Sequence, residues 1–470
     1  MTNHINDMDT RDAAGPSRRG FLRALGGLTA GLSALPALAR AQTETPTRRA
    51  GAQYRGDFAA PKLEKVKVAI IGVGARGSGH ASQLATIEGV DFVGVCDLVE
   101  ERAKRAADGV TKKGHNPKVF SGDENAWQKM LAEVRPDAVF IATPWPLHAP
   151  MCIAAMKAGA HAFSEVPIAY TIDEMWDIVD TSEATGRHCM MMENVNYGAE
   201  ELVYLNMVRQ GVLGGLLHGE AAYLHPLCGQ MENGDTTGSW RTFQYAKRNG
   251  NLYPTHGLGP VAQYMSIART EDNFARLVSF STPAMGRNLY AQKSTKLSNP
   301  EFKNLDFKGG DLNTSIIKTV LGRTIMVQWD ETTPRPYTRH NLIMGTNGVL
   351  AGFPNRMSIE GVTKGHGQGW AEGDDWEAIA AKYEHPFFKR MGELGKKMGG
   401  HGGMDFLMLY RIIECLRLGQ ALDQNVYEGC FWSAVGPLSE KSVKEDGMPQ
   451  VFPDFTRGNW KTTKPLGIIA

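Results

Sequence analysis

Three glycines, Gly72, Gly74 and Gly77 in the run Gly-Val-Gly-Ala-Arg-Gly, are spaced to bring main chain against a pyrophosphate. Gly72 permits a tight turn, Gly74 lets the backbone approach the phosphates, and Gly77 lets the next helix pack on the strand before it. In a chain with 53 glycines the pattern alone is weak, but its surroundings strengthen it. A β-branched run from Val66 to Ile71 precedes it, a helical stretch follows, and Asp97 closes the next strand-like run. The helix start offers unpaired N–H groups to an anion. The Asp97 carboxylate can accept from adenosine ribose hydroxyls and would repel an added phosphate, so NAD is expected rather than NADP.

Those residues need a parallel sheet to position them. Strand-like runs at 66–71, 91–97, 138–142, 161–165 and 188–192 alternate with helical stretches after Gly77 and at 100–109, 127–133 and 151–157. The alternation predicts an α/β, doubly wound Rossmann domain over 63–192. Past Met192 the alternation stops. Runs at 217–224, 276–281, 314–319 and 323–329 predict a largely antiparallel open sheet in an α+β second domain over 193–440. A helix at 404–422 closes that domain, and 441–470 reads as a Pro-punctuated tail.

Residues 1–41 read as an address. Arg18-Arg19 stands ahead of a mild apolar stretch and the small-residue site Ala39-Arg40-Ala41, which resembles a bacterial twin-arginine export signal. That implies the Tat export machinery as a partner, export of a folded protein, a periplasmic or secreted location and no membrane anchor in the mature form. Residues 42–62 are polar and aperiodic, a linker or an arm. The charge is nearly balanced, 51 Lys+Arg against 50 Asp+Glu, and so argues against nucleic acid as a partner. The six cysteines form no CxxC pair and read as small buried apolar residues, and no His/Asp/Glu cluster has metal spacing, so no metal is expected.

The Rossmann half, with Ala142-Thr-Pro-Trp-Pro-Leu-His148 and Ser164-Glu-Val-Pro167, resembles the Gfo/Idh/MocA oxidoreductases. Dehydrogenases of that family carry Glu-Lys-Pro at the second site, with the lysine near the hydroxyl being oxidised. Val166 stands in its place here, which argues against simple alcohol dehydrogenation. A closer resemblance covers most of the chain after the leader. Met192-Glu-Asn-Val-Asn-Tyr-Gly198, Asn206-Met-Val-Arg-Gln-Gly211, His218-Gly-Glu-Ala-Ala-Tyr-Leu-His225, Tyr253-Pro-Thr-His-Gly-Leu-Gly-Pro260 and Arg335-Pro-Tyr337 are similar, in order, to glycoside hydrolase family 109. That family is the NAD-dependent α-N-acetylgalactosaminidases. The resemblance implies that NAD is held at Ala75, Arg76, Asp97, Trp145 to His148, Glu165, Val166 and Asn194. It implies sugar contacts at Tyr223, Arg241, Tyr253, Pro254, Thr255, His256 and Tyr337.

Glycosidases commonly set two carboxylates across the bond, with NAD-dependent enzymes an exception. The resemblance implies hydride removal from C3, loss of the acidified C2 proton, elimination of the anomeric group, water addition and return of the hydride. That route needs a base active near neutral pH, which suits histidine. His256 is the candidate, with hydroxyls or an apolar face from Tyr253, Tyr197 and Tyr223, and Arg241 as a donor to a sugar hydroxyl or acetamido carbonyl. His148 reads as a cofactor-loop residue, Glu165 as a ribose-positioning group, and Trp240 as either a stacking platform or core. Two other functions stay open: a sugar or polyol dehydrogenase, which would accumulate NADH, and a sugar-binding protein with a vestigial NAD. Pairing of exposed second-domain sheets in a homo-oligomer is compatible with the resemblance.

Overall fold

The computed structural model describes residues 45–468 apart from 235–237 and 366, and the twin-arginine segment lies outside the described residues. The first sheet has β1 (Val66–Ile71), β2 (Val90–Asp97), β3 (Lys118–Ser121), β4 (Ala138–Ile141), β5 (His161–Ser164) and β6 (Cys189–Met191). They run in the order β3-β2-β1-β4-β5-β6, all pairs parallel. β4 and β5 are buried along their whole length, as expected when helices cover both faces of a parallel sheet. The order reverses between β1 and β4, and the loops after these two strands open there, where α/β sheets bind ligands. β3 and the helix Ile172–Thr185 escape the sequence reading. The helix is nonetheless punctuated: Thr171 and Glu174 form a capping box, and Gly186 ends it at φ +64°.

The second sheet has nine strands: β7 (Leu216–Leu224), β8 (Phe274–Ser281), β9 (Asn313–Thr319), β10 (Thr324–Asp330), β11 (Leu342–Gly345), β12 (Gly348–Ala351), β13 (Arg356–Ile359), β14 (Ala371–Glu372) and β15 (Gln450–Val451). Their order is β14-β13-β12-β11-β7-β10-β9-β8-β15, antiparallel throughout except for the parallel pair β7–β10. The helices Thr255–Tyr264 and Val426–Lys444 pack against β7 and β8. Gly257 makes the first of these contacts close, since a Cβ there would stand 2.3 Å from the Ala222 nitrogen.

The end of the chain corrects the sequence reading. The boundary at 440 falls inside the helix Val426–Lys444, whose buried ring of residues gives no amphipathic stripe and whose Gly429, Gly436 and Pro437 look like breakers. An Asn425–Glu428 capping box starts it. Residues 441–470 are no loose tail: β15 extends the sheet beside β8, and Phe452, Phe455, Trp460 and Leu466 are buried. The segment before the Rossmann domain is equally tied down from Arg48 onward. Arg48 donates to both oxygens of the fully buried Glu183 (2.9 and 3.1 Å), Arg457 donates to the same carboxylate (2.9 Å), and Tyr54 stacks on Tyr427. Residues 47–62 are therefore an arm laid on the body.

Candidate active site

The glycine turn has the shape its spacing predicts. Gly72 sits at φ +83°, and a Cβ on Gly77 would fall 1.8 Å from the Gly72 carbonyl oxygen, so only glycine lets the helix Ala75–Leu84 seat on the turn. Around Gly74, by contrast, nothing lies within 4 Å of the position a Cβ would take. The open space faces a helix start that no side chain caps. Asp97 is fastened to this turn, accepting from the Val73 N–H (2.8 Å) and the Val99 N–H (2.9 Å). Each carboxylate oxygen keeps a further lone pair for a hydroxyl.

The other cofactor candidates converge from separate loops. Trp145 opens a short turn that leads into the helix His148–Lys157. Both ring nitrogens of His148 face carbonyl oxygens at 2.7 Å, those of Thr143 and Pro167, so it ties the loop after β4 to the Glu165-Val166-Pro167 turn and has no nitrogen left for proton transfer. Val166 is buried. Burial would raise the Glu165 carboxyl, but Arg76 (2.8 Å) and His80 (2.6 Å) hold it well below the usual carboxylate range. Asn194 donates from Nδ2 to Asp405 (2.7 Å), while its buried Oδ1 has no protein partner. The open cradle at Gly74, the Asp97 carboxylate and the unpartnered Asn194 oxygen suit a dinucleotide, and NAD fits this donor and acceptor set.

Trp145 joins the cofactor loop to an aromatic wall. Its ring lies parallel to Tyr253 at 5.9 Å and edge-on to Trp240 at 5.0 Å. The Arg241 guanidinium sits among these rings, 4.6 Å from the Tyr253 centroid and 5.0 Å from that of Trp145. Its Nη2 donates to the Tyr253 hydroxyl (3.3 Å), and its buried Nε has no protein partner. Burial pushes the Tyr253 phenol up to about 12 against the pull of Arg241, so it is protonated at any working pH. Tyr223 packs 5.1 Å from Tyr253 and 5.3 Å from His256, and Tyr337 meets it edge-on at the 37 % exposed rim. Trp240 thereby belongs to this wall.

His256 stands in the first turn of the helix Thr255–Tyr264, which Pro254 caps. Its Nδ1 lies 2.6 Å from Oε1 of Glu193, a carboxylate with no exposure. Nδ1–H then donates to Glu193, and Nε2, which no group among the described residues engages, carries the lone pair. Gly259 allows this approach, because a Cβ there would stand 2.9 Å from Glu193 Cγ. Glu193 is a functional residue the sequence reading passed over: it lies inside a quoted motif, but nothing in the motif says which way its carboxylate points. Asp405, where Arg76 and Asn194 meet, was passed over too, being more than two hundred residues from either in sequence.

Tyr197 is not part of this wall, contrary to expectation. Its hydroxyl donates to Asp423 (3.2 Å), which also holds Arg411, and its ring is buried in the core. The turn Asn194–Tyr197 is a single 3-10 turn, and it sends Asn194 toward the cofactor residues but Tyr197 toward the closing helix Met404–Leu418, which carries Arg411.

Comparison with known proteins divides the chain at the same place. Residues 66–193 match the Gfo/Idh/MocA family, described as an oxidoreductase family with an NAD-binding Rossmann fold, and residues 197–462 match the C-terminal domain of glycosyl hydrolase 109. The chain is 57% identical to glycosyl hydrolase family 109 protein 1 of Akkermansia muciniphila, over 96% of this chain and 99% of that one. It is 53% identical to a family 109 protein of Shewanella baltica, over 96% and 98%. Among solved structures, an NAD-binding oxidoreductase from Klebsiella pneumoniae superposes with a TM-score of 0.62 at 15% identity, over 83% of this chain and 99% of that one. Levoglucosan dehydrogenase in complex with NADH and levoglucosan gives 0.60 at 17%, over 83% and 100%. These two share the fold.

Proposed function

The chain belongs to glycosyl hydrolase family 109, and on that premise we propose that it releases terminal α-N-acetylgalactosamine by an oxidation–elimination route with His256 as the base. The observation that carries the reading is the Glu193–His256 pair, standing beside an aromatic wall that shares Trp145 with the cofactor loop. Bound NAD supplies reversible oxidation at C3 of the sugar, which acidifies the hydrogen on C2.

The chain's own groups then handle protons and charge. His256 Nε2 takes the C2 proton while the C1–oxygen bond breaks, a C1–C2 double bond forms and the departing oxygen takes a proton from solvent. The C3 hydroxyl gives its proton to solvent on oxidation and regains one on reduction. Water adds its hydroxyl at C1 and releases its other proton to solvent, and the imidazolium, after exchange with solvent, delivers a proton to C2. Glu193 keeps Nδ1–H pointed inward and stabilises the imidazolium that forms, the role a buried carboxylate plays behind a catalytic histidine. Arg241 and the protonated Tyr253 phenol, both buried, are donors for the oxygen on which negative charge develops. Val166 brings no amine to the site, which argues against a simple alcohol dehydrogenase.

The test is turnover of an aryl α-N-acetylgalactosaminide in heavy water. Released sugar with deuterium at C2 and no net NADH supports the route. Sugar without deuterium, or NADH accumulating on free sugars, overturns it. The export reading is tested by cell fractionation, with Arg18→Lys and Arg19→Lys together expected to strand the protein in the cytoplasm.

A further inference from the structure

The aromatic row at the sugar site does not end at Tyr337. Exposure rises along it, from buried Tyr253 through half-buried Tyr223 to Tyr337 and then to Phe353, which is 39 % exposed and meets Tyr337 edge-on at 5.6 Å. An enzyme that releases a terminal sugar takes it into the closed end of such a row. Whatever is linked to C1 then has room only past the open end, where Tyr337 and Phe353 stand.

Phe353 is held there at a cost. It lies in the turn between β12 and β13 at φ +58°, on the left-handed side that a bulky residue avoids and glycine adopts freely. Such a conformation persists only where its surroundings over-determine it, and it is kept most often at ligand sites. The surroundings are well defined here. The Gly352 N–H donates to the His340 carbonyl (3.1 Å), and the Arg339 guanidinium stands 5.0 Å from the Phe353 centroid and 5.6 Å from that of Tyr337. Arg339 Nη1 donates to the Tyr337 hydroxyl (2.7 Å), and Nη2 donates to Oε1 of Glu201 (2.7 Å), a carboxylate buried on the helix Ala199–Arg209. The Arg339 carbonyl accepts from the Ala222 N–H (2.8 Å), next to Tyr223 on β7. Two exposed rings are thereby fixed at 76° to each other beside the sugar site. A pyranose carries an apolar patch of C–H bonds on its face and hydroxyls around its edge. Phe353 offers a flat apolar surface to the first. The Tyr337 hydroxyl, which accepts from Arg339, keeps its own proton to donate to the second.

We propose that Phe353, with Tyr337 fixed by Arg339, forms a leaving-group subsite that takes the pyranose to which the released sugar is linked. The inference rests on the glycosidase reading and adds that the substrate is the end of a glycan rather than a small glycoside. Methyl α-N-acetylgalactosaminide and a disaccharide of α-N-acetylgalactosamine linked to glucose compete in one reaction with the full-length holoenzyme. The methanol and glucose released give the ratio of the two kcat/KM values, which does not depend on how much of the enzyme carries NAD. Wild type should favour the disaccharide. Phe353→Gly removes the ring and is the residue this backbone accommodates best, so the variant should fold, and its preference should fall about three- to tenfold. Phe353→Leu, which keeps apolar bulk without a ring, should lose the preference as well, and Phe353→Tyr should keep it. An unchanged ratio in the Gly and Leu variants, an equal loss in Phe353→Tyr, or a wild type indifferent to the second sugar overturns the subsite and leaves the glycosidase standing. No turnover of either substrate by wild type defeats the glycosidase reading, and the subsite with it.

Discussion

Glu193→Gln isolates the charge behind His256. The substitution keeps the volume of a fully buried side chain and an oxygen that can still accept from Nδ1–H, so the tautomer and the packing against Gly259 are preserved. What disappears is a negative charge beside the imidazolium that forms as the C2 proton is taken. Two unit charges about 4 Å apart gain about 4 kcal/mol at an effective dielectric of about 20. The hydrogen bond already made in the ground state recovers part of this, leaving about 2–3 kcal/mol, or roughly 30- to 150-fold in kcat. The assay is aryl glycoside release at saturating substrate, with bound NAD quantified in the same preparation. His256→Ala should be more severe, and Glu193→Gln added to it should cost nothing further, since the carboxylate acts only through the ring. Losses that multiply in the double variant, or a single variant as fast as wild type, would refute the pair as a unit.

Other expectations follow from the same geometry. Gly77→Ala places a methyl 1.8 Å from the Gly72 carbonyl oxygen, so the turn must move, and NAD binding measured by equilibrium dialysis should be lost. Tyr197→Phe removes one hydrogen bond to Asp423, and should lower stability by about 1 kcal/mol while leaving kcat unchanged. Tyr253→Phe should do the reverse, lowering kcat with little change in melting temperature. His161 is held neutral by burial, which lowers its pKa to about 4. The unfolded chain therefore binds its proton first, near pH 6.5. Stability is full above that value and falls as pH drops toward 4, by at most about 1.4 kcal/mol per pH unit for this group. His161→Asn should flatten the slope of denaturation free energy between pH 6.5 and 4 by one proton, and an unchanged slope would assign the acid sensitivity elsewhere.

The parts of the molecule that were legible in sequence are those whose cause is local. The glycine turn and Asp97 were readable because a turn, a phosphate and a helix start constrain neighbouring residues. β4 was readable because burial on both faces leaves it no polar position, and β5 because its apolar centre, Ala162 and Phe163, sits at the expected spacing after a helix. The helix Val426–Lys444 was not, because a helix buried on all sides has no period to detect and tolerates Gly429, Gly436 and Pro437 where its neighbours press close. The parallel pairing of β7 with β10 has no sequence mark, since a strand's pattern does not state its partner's direction. In the site, family motifs pointed to His256 and Arg241, and the wall they form confirms that these residues meet. Glu193 and Asp405 depend on contacts across long separations, and Tyr197 shows the converse error: a tyrosine inside a functional motif can face the core when its turn rotates it there.

The clasp on Glu183 couples early and late segments of the polypeptide in time as well as in space. Arg48 is among the early residues of the chain and Arg457 among the late ones, yet they share one buried carboxylate with Tyr427. A ribosome has to finish nearly the whole protein before that carboxylate can acquire its full set of partners. Tyr54, which stacks on Tyr427, likewise waits for the closing helix. Docking of the arm at this carboxylate therefore depends on residues translated far behind it, and loss of the segment around Arg457 would leave Glu183 short of a partner.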